Sequence, residues 1–169
     1  MARPLTSRAR PAGRSGLPTR IVSGGQTGVD RAALDVALAL GIPCGGWCPA
    51  GRWAEDGVVP ALYGLTETES ADPAARTRRN VENADGTLIL TFGAFDRGTH
   101  LTLRCAEATG QTHRVVDLKD DPDPSAIVPW LSEQRILTLN VAGPRESKAP
   151  GIYGAARRFL TAALTDRSA

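Results

Sequence analysis

Ser23-Gly24-Gly25-Gln26-Thr27-Gly28-Val29-Asp30-Arg31 connects two segments of opposite character. Before it stands a short apolar run of β type, Arg20-Ile21-Val22; after it comes Ala32-Ala33-Leu34-Asp35-Val36-Ala37-Leu38-Ala39-Leu40, rich in helix formers. A strand, a glycine-rich turn and a helix in that order make a place to hold an anion. Glycines let the backbone bend tightly and approach a ligand. The first turn of a helix leaves N–H groups unpaired, and its dipole adds partial positive charge there. The loop therefore reads as a grip on the phosphate of a nucleotide-like ligand. Gly24, Gly25 and Gly28 supply the bend, Gln26 and Thr27 offer donors, and Asp30 either supports the helix start or accepts a hydrogen bond from a sugar or pterin.

Working outward, strand and helix alternate five times. Gly41 closes the first helix. Residues 42–47 read as a second strand, and a long irregular segment follows from Cys48 to about Pro60. Residues 62–68 read as a short extended piece. Asp72-Pro73 reads as an N-cap with proline at the first helical position, opening a helix to about Asn83 that carries Arg76, Arg78 and Arg79. Gly86 to Phe92 is a continuous apolar strand, as expected where both faces are covered. A second glycine loop, residues 93–99, precedes a helix from His100 to Thr109. Then come a strand at 114–118, a turn at 119–124, a helix at 124–134 and a last strand at 135–141. A third loop, Ala142 to Gly151, leads into a helix over about 152–164. This alternation predicts an α/β class chain with a three-layer Rossmann-like fold and a mainly parallel sheet of about five strands. Right-handed crossovers put all strand ends on one edge, where open α/β sheets bind ligands. The three loops should gather there, adding Gly98, Thr99, Gly143, Arg145 and Ser147 to the binding set, with Arg79 to neutralise charge.

Composition narrows the function. At 169 residues the chain fits one domain, with 41% hydrophobic and 22% charged residues. The net charge of +2 comes from the four arginines of residues 1–19; the remainder has 16 basic against 18 acidic side chains. Such a domain is a poor partner for nucleic acid. Residues 1–18 read as a disordered basic tail and 19–169 as a single ligand-binding domain. No run reaches the ~18–20 apolar residues of a membrane span, and the expected location is cytoplasmic. Cys44, Cys48 and Cys105, with only His100 and His113 to help, form no zinc set, so no protein-ligated metal is expected. Gly-Lys is absent, which excludes the phosphate loop of nucleotide hydrolases, and GGQTG departs from the dinucleotide fingerprint. Adjacent Glu55 and Asp56 are the candidate acid/base residues.

Five ordered blocks carry a family resemblance: GGQTGVDRAALD, CPAGRWAEDG, RTRRNVENADGTLIL, GTHLT and LNVAGPRESKAPGIY. Over about residues 20–165 the chain resembles the molybdenum-carrier family, a circularly permuted YpsA-like group in the superfamily of LOG-type and DprA-type Rossmann domains. The resemblance implies a pocket for a nucleotide or nucleotide derivative and, more loosely, for the molybdenum cofactor, a phosphate-bearing pterin whose own dithiolene holds the metal. It also implies a homo-oligomer, by analogy with the LOG-like relatives. Those relatives cleave the base from nucleoside monophosphates. Their Arg-Lys pair corresponds to Arg78-Arg79 and their Gly-Thr to Gly98-Thr99, but their catalytic Glu position is Thr102 here. Binding of a phosphate-bearing nucleotide or pterin is thus the leading expectation, and a nucleotide N-glycosidase or related hydrolase using Glu55, Asp56 or Asp30 is the alternative.

Overall fold

The computed structural model describes residues 16–165. The expected basic tail therefore lies largely outside the described residues. Leu17 packs against the core and Pro18 is buried, so the folded chain begins before Thr19.

Five parallel strands form the central sheet in the order β2-β1-β9-β7-β8. They are β1 (Arg20–Val22), β2 (Cys44–Gly45), β7 (Gly86–Thr91), β8 (Thr112–Asp117) and β9 (Thr138–Ala142). Two small two-stranded sheets lie outside it. Parallel β3 (Trp47–Cys48) pairs with β6 (Thr66–Glu67), and antiparallel β4 (Trp53–Ala54) pairs with β5 (Gly57–Val58). The first strand is interior, pairing with both β2 and β9, and β9 is the central strand.

Helix α1 (Val29–Leu40) buries Val29, Ala32, Ala33, Val36 and Ala37, a stripe at helical spacing. It packs along α5 (Ile152–Leu164), with α4 (Ile127–Glu133) beside α5. Helices α2 (Pro73–Glu82) and α3 (Arg97–Ala108) pack on each other. All six residues of β7 are buried, as the apolar run predicts for a strand covered on both faces. The fold is the expected three-layer Rossmann-like α/β arrangement.

Boundaries differ from the sequence reading: β8 starts at Thr112 rather than 114, the 62–68 piece is extended only at Thr66–Glu67, and four further differences have a visible cause. The second strand breaks at Gly46, where φ is 124° and a side chain would overlap the Ser23 carbonyl; β3 then leaves the main sheet. The irregular segment folds around its own core of Leu34, Cys48, Ala54, Val59, Tyr63 and Leu65. Arg52 holds it by donating to the carbonyls of Val59, Pro60 and Leu65. Helix α3 begins three residues early, because Asp96 caps it by accepting from the Thr99 N–H at 2.8 Å. β9 begins late, because Arg135 is left-handed (φ 55°) and Asp85 takes the Leu137 and Thr138 N–H groups at 3.0 and 2.7 Å.

Candidate functional site

The carboxyl ends of β1 and β9 open into a cleft of about 140 Å³ between α2 and α3. The glycine loop forms one wall. Ser23 anchors it by donating from its hydroxyl to the Val141 carbonyl at 2.6 Å. Gly24 lacks a side chain where the Arg76 guanidinium sits, and Gly28 (φ 78°) lies so close to the Pro144 carbonyl that a Cβ would overlap it. The first and third loops are therefore pressed together, as expected from the parallel sheet.

The loop's donors are arranged differently from the sequence reading. The Gln26 N–H points to Asp30 Oδ2 at 3.4 Å, the Thr27 N–H to Gln26 Oε1 at 3.0 Å, and the Val29 N–H to the Pro144 carbonyl at 3.3 Å. These three groups serve the protein itself. Cationic side chains supply the cleft's positive charge. Arg76 Nη1 lies 2.9 Å from Asp30 Oδ2, with 13% and 7% of the two side chains exposed. Arg76 Nε is buried and has no hydrogen-bond partner. Burial pushes the Asp30 carboxyl above its ordinary value, against the opposing pull of Arg76 and the bonds from Gln26 and Ser23.

Glu55 occupies the turn of the β4–β5 hairpin. It accepts from the Thr27 hydroxyl, from the Ser147 N–H at 3.1 Å and from the Ser147 hydroxyl at 2.5 Å, with Arg145 at 3.9 Å. Its own N–H donates to Gln26 Oε1 at 2.9 Å. One carboxylate thus latches the hairpin to the first and third glycine-bearing loops. Burial pushes its pKa up, but the bonds from Ser147 and Thr27 and the Arg145 charge outweigh this and hold it below the ordinary 4.5. A lowered native pKa gives stability that is present above 4.5 and lost as pH falls through the native value. Glu55→Gln therefore loses the wild-type advantage at neutral pH, and the two melting curves converge in acid below about 4.5. A gap independent of pH refutes the latch.

Gly24, Gln26, Asp30, Gly98, Gly143 and Arg145 all line the cleft. Gly25, Thr27, Gly28 and Ser147 shape the loops around it rather than its lining, and Thr99 is buried with its hydroxyl unpartnered. The candidate acids Glu55 and Asp56 do not line it; Asp56 pairs with Arg31 at 2.9 and 3.1 Å. Arg79 also lies outside, 5.2 Å from the centre of the Trp47 ring. Sequence reasoning missed Arg76, Trp53, Asp96 and Asn140, which do line the cleft. Arg76 shares with Pro73, Thr77 and Asn80 the helix face that packing turns to the cleft. Among the described residues no group of three or more His, Cys, Asp or Glu side chains is placed to hold a metal, and no helix is long and apolar enough to cross a membrane.

No curated protein matches the chain. A crystal structure from Syntrophus aciditrophicus SB, named "Putative molybdenum carrier protein", is similar with 42% identity and a TM-score of 0.85, over 90% of this chain and 98% of that one. Residues 21–164 match the family model described as "Circularly permutated YpsA SLOG family". With nearly all of the globular chain matched, this protein belongs to the circularly permutated YpsA SLOG family.

Proposed function

We propose that the cleft binds a phosphate-bearing nucleotide or pterin and that the protein is a carrier of molybdenum-cofactor type. The observation that carries this reading is Arg76, a nearly buried guanidinium that lines the cleft. A nearly buried guanidinium on a cleft wall is suited to an anion. Arg145 adds a second cation, and Trp53, half exposed on the lining, offers a flat face for a ring. The cleft is smaller than the ~300 Å³ of a typical small-molecule site. It suits a phosphate or one ring system, with the rest of the ligand extending outward.

These residues fit the organic part of the molybdenum cofactor. Arg76 and Arg145 would hold its phosphate and Trp53 its pterin; the cofactor brings its own dithiolene sulfur ligands for the metal. The name of the Syntrophus relative supports the same reading. Carriage is favoured over turnover because Glu55 and Asp56 are engaged by Ser147, Thr27 and Arg31, away from the cleft. One observation favours the enzyme reading: Asp30 lines the cleft with a raised pKa, a property suited to acid/base work.

A thermal-shift and calorimetric screen of nucleoside monophosphates, pterins and molybdate tests the proposal. Arg76→Lys keeps the charge but loses the fork, and is expected to weaken phosphate-bearing ligands by roughly tenfold, the value of one charged hydrogen bond. Unchanged affinity in that variant, or no binding by the wild type, refutes the proposal. Release of free base from AMP or GMP, abolished in Asp30→Asn, would establish the enzyme instead.

A further inference from the structure

Buried amides in this chain have orientations set by their neighbours, and one of them faces the cleft. Gln111 Nε2 lies 2.6 Å from the Val81 carbonyl and 2.8 Å from the Ala84 carbonyl. Carbonyls only accept, so the NH2 of Gln111 must point to them and its Oε1 must accept elsewhere. It accepts from the Thr87 hydroxyl at 2.6 Å. That hydroxyl has a single proton, now committed to Gln111. Its remaining contact, with Asn140 at 3.2 Å, can only be one in which Asn140 Nδ2 donates. The Asn140 amide is thereby oriented with its nitrogen toward Thr87.

Asn140 is 2% exposed and lies on the cleft lining. No described residue donates to its Oδ1, yet that oxygen is not among the buried atoms lacking a partner, so it is open to the cleft. On the same lining, Asp96 uses one oxygen to cap α3. Gln26 is oriented in the opposite sense: its Oε1 takes two backbone N–H groups, leaving its NH2 free on the lining.

We infer that Asn140 is a specificity-determining residue whose carbonyl oxygen, held toward the cleft by Thr87 and Gln111, accepts a hydrogen bond from an N–H edge of the ligand's ring system. This rests on the reading of the cleft as a ligand site. The edge that matches is that of a 2-amino-4-oxo pyrimidine ring, shared by guanine and pterin, which places an N–H and an NH2 side by side. Asn140 and the Asp96 carboxylate both offer acceptors on the lining. Thr87 and Gln111 are positioning residues.

The test measures affinities of GMP, pterin and purine riboside monophosphate, whose base carries no N–H, for wild type, Asn140→Ala and Thr87→Val. Wild type is expected to prefer GMP over purine riboside monophosphate by at least tenfold. Asn140→Ala should abolish that preference, and Thr87→Val, which frees the amide to turn, should reduce it. Comparing pterin with GMP identifies which source of the edge is used. A preference that survives in Asn140→Ala, or is absent from wild type, overturns the inference while leaving the cleft a binding site. Failure of every probe to bind wild type overturns the cleft reading and this inference with it. Thr87→Val and Asn140→Ser provide the same comparison if Asn140→Ala does not fold.

Discussion

Asp30→Ala lowers stability by about 3–5 kcal/mol, the cost of leaving one member of a buried ion pair alone. In a chain of this size that is a fall in Tm of about 10 °C or more. The alanine leaves Arg76, 87% buried by side-chain area, beside a void with no counter-charge. The raised pKa of Asp30 shows that burial disfavours its charge more than Arg76 and the hydrogen bonds restore. Arg76→Ala is costly for the converse reason. Replacing both members, as in Asp30→Leu with Arg76→Met, is expected to be less destabilising than either single change, because no uncompensated charge remains. That double variant should fold yet lose affinity for phosphate-bearing ligands. The pH dependence has a definite sign. A carboxyl with a raised native pKa adds stability as pH falls from that native value to the ordinary 3.8, so the gap between wild type and Asp30→Asn widens toward acid. Chemical denaturation of wild type and these four variants across pH checks all of this; a double variant as unstable as the sum of the singles would show that the two residues are not a pair.

Gly143→Ala is the second large effect. The position is not left-handed; what matters is space. A Cβ there would overlap the Leu90 carbonyl oxygen and the Val29 side chain. Backbone cannot rotate aside as a side chain can, so the end of β9 must move away from β7. Overpacking of this kind costs about 1–3 kcal/mol. Since Asn140, Ala142 and Gly143 line the cleft, ligand affinity should fall as well. Gly98→Ala is the control. Its Cβ would meet only Asp96 Oδ1 at 3.7 Å, ordinary contact, and within α3 the change should be neutral or stabilising by up to ~1 kcal/mol. Urea titration separates the two; similar midpoints would remove close approach as the reason for glycine at 143.

Features specified by near neighbours were legible in the sequence. The run at 86–91, the helix at 152–164, the Asp72-Pro73 start and the Gly41 stop all stand where apolar periodicity and capping chemistry predict. The two-residue strands β3 to β6 were not, because two residues show no period; their partners are decided by Gly46 and by Arg52. The cleft was legible as an edge and a set of loops. Its cation was not: Arg76 and Arg79 lie three residues apart on one helix, and only the packing of α2 against α3 decides which meets the cleft. The role inferred for Asn140 was hidden within a strand, since it depends on Thr87 of β7 and on Gln111, just before β8.

The sheet order has a consequence for assembly. β1 with β2, and β7 with β8, each pair from segments close in the chain, but within the central sheet the two halves meet only through β9. Arg20 to Val22 must therefore wait for Thr138 to Asn140, a closure across more than a hundred residues. Such non-local pairing is slow, because chain entropy is lost before contacts repay it. On a ribosome the two halves of the sheet would emerge with their facing edges open until residues 138–142 are made. The cleft lies across that seam, with Gln26 from the first half, Asp96 from the second and Asn140 from the joining strand. A ligand bound there clasps the seam itself, so it slows the parting of the two halves as well as filling a pocket.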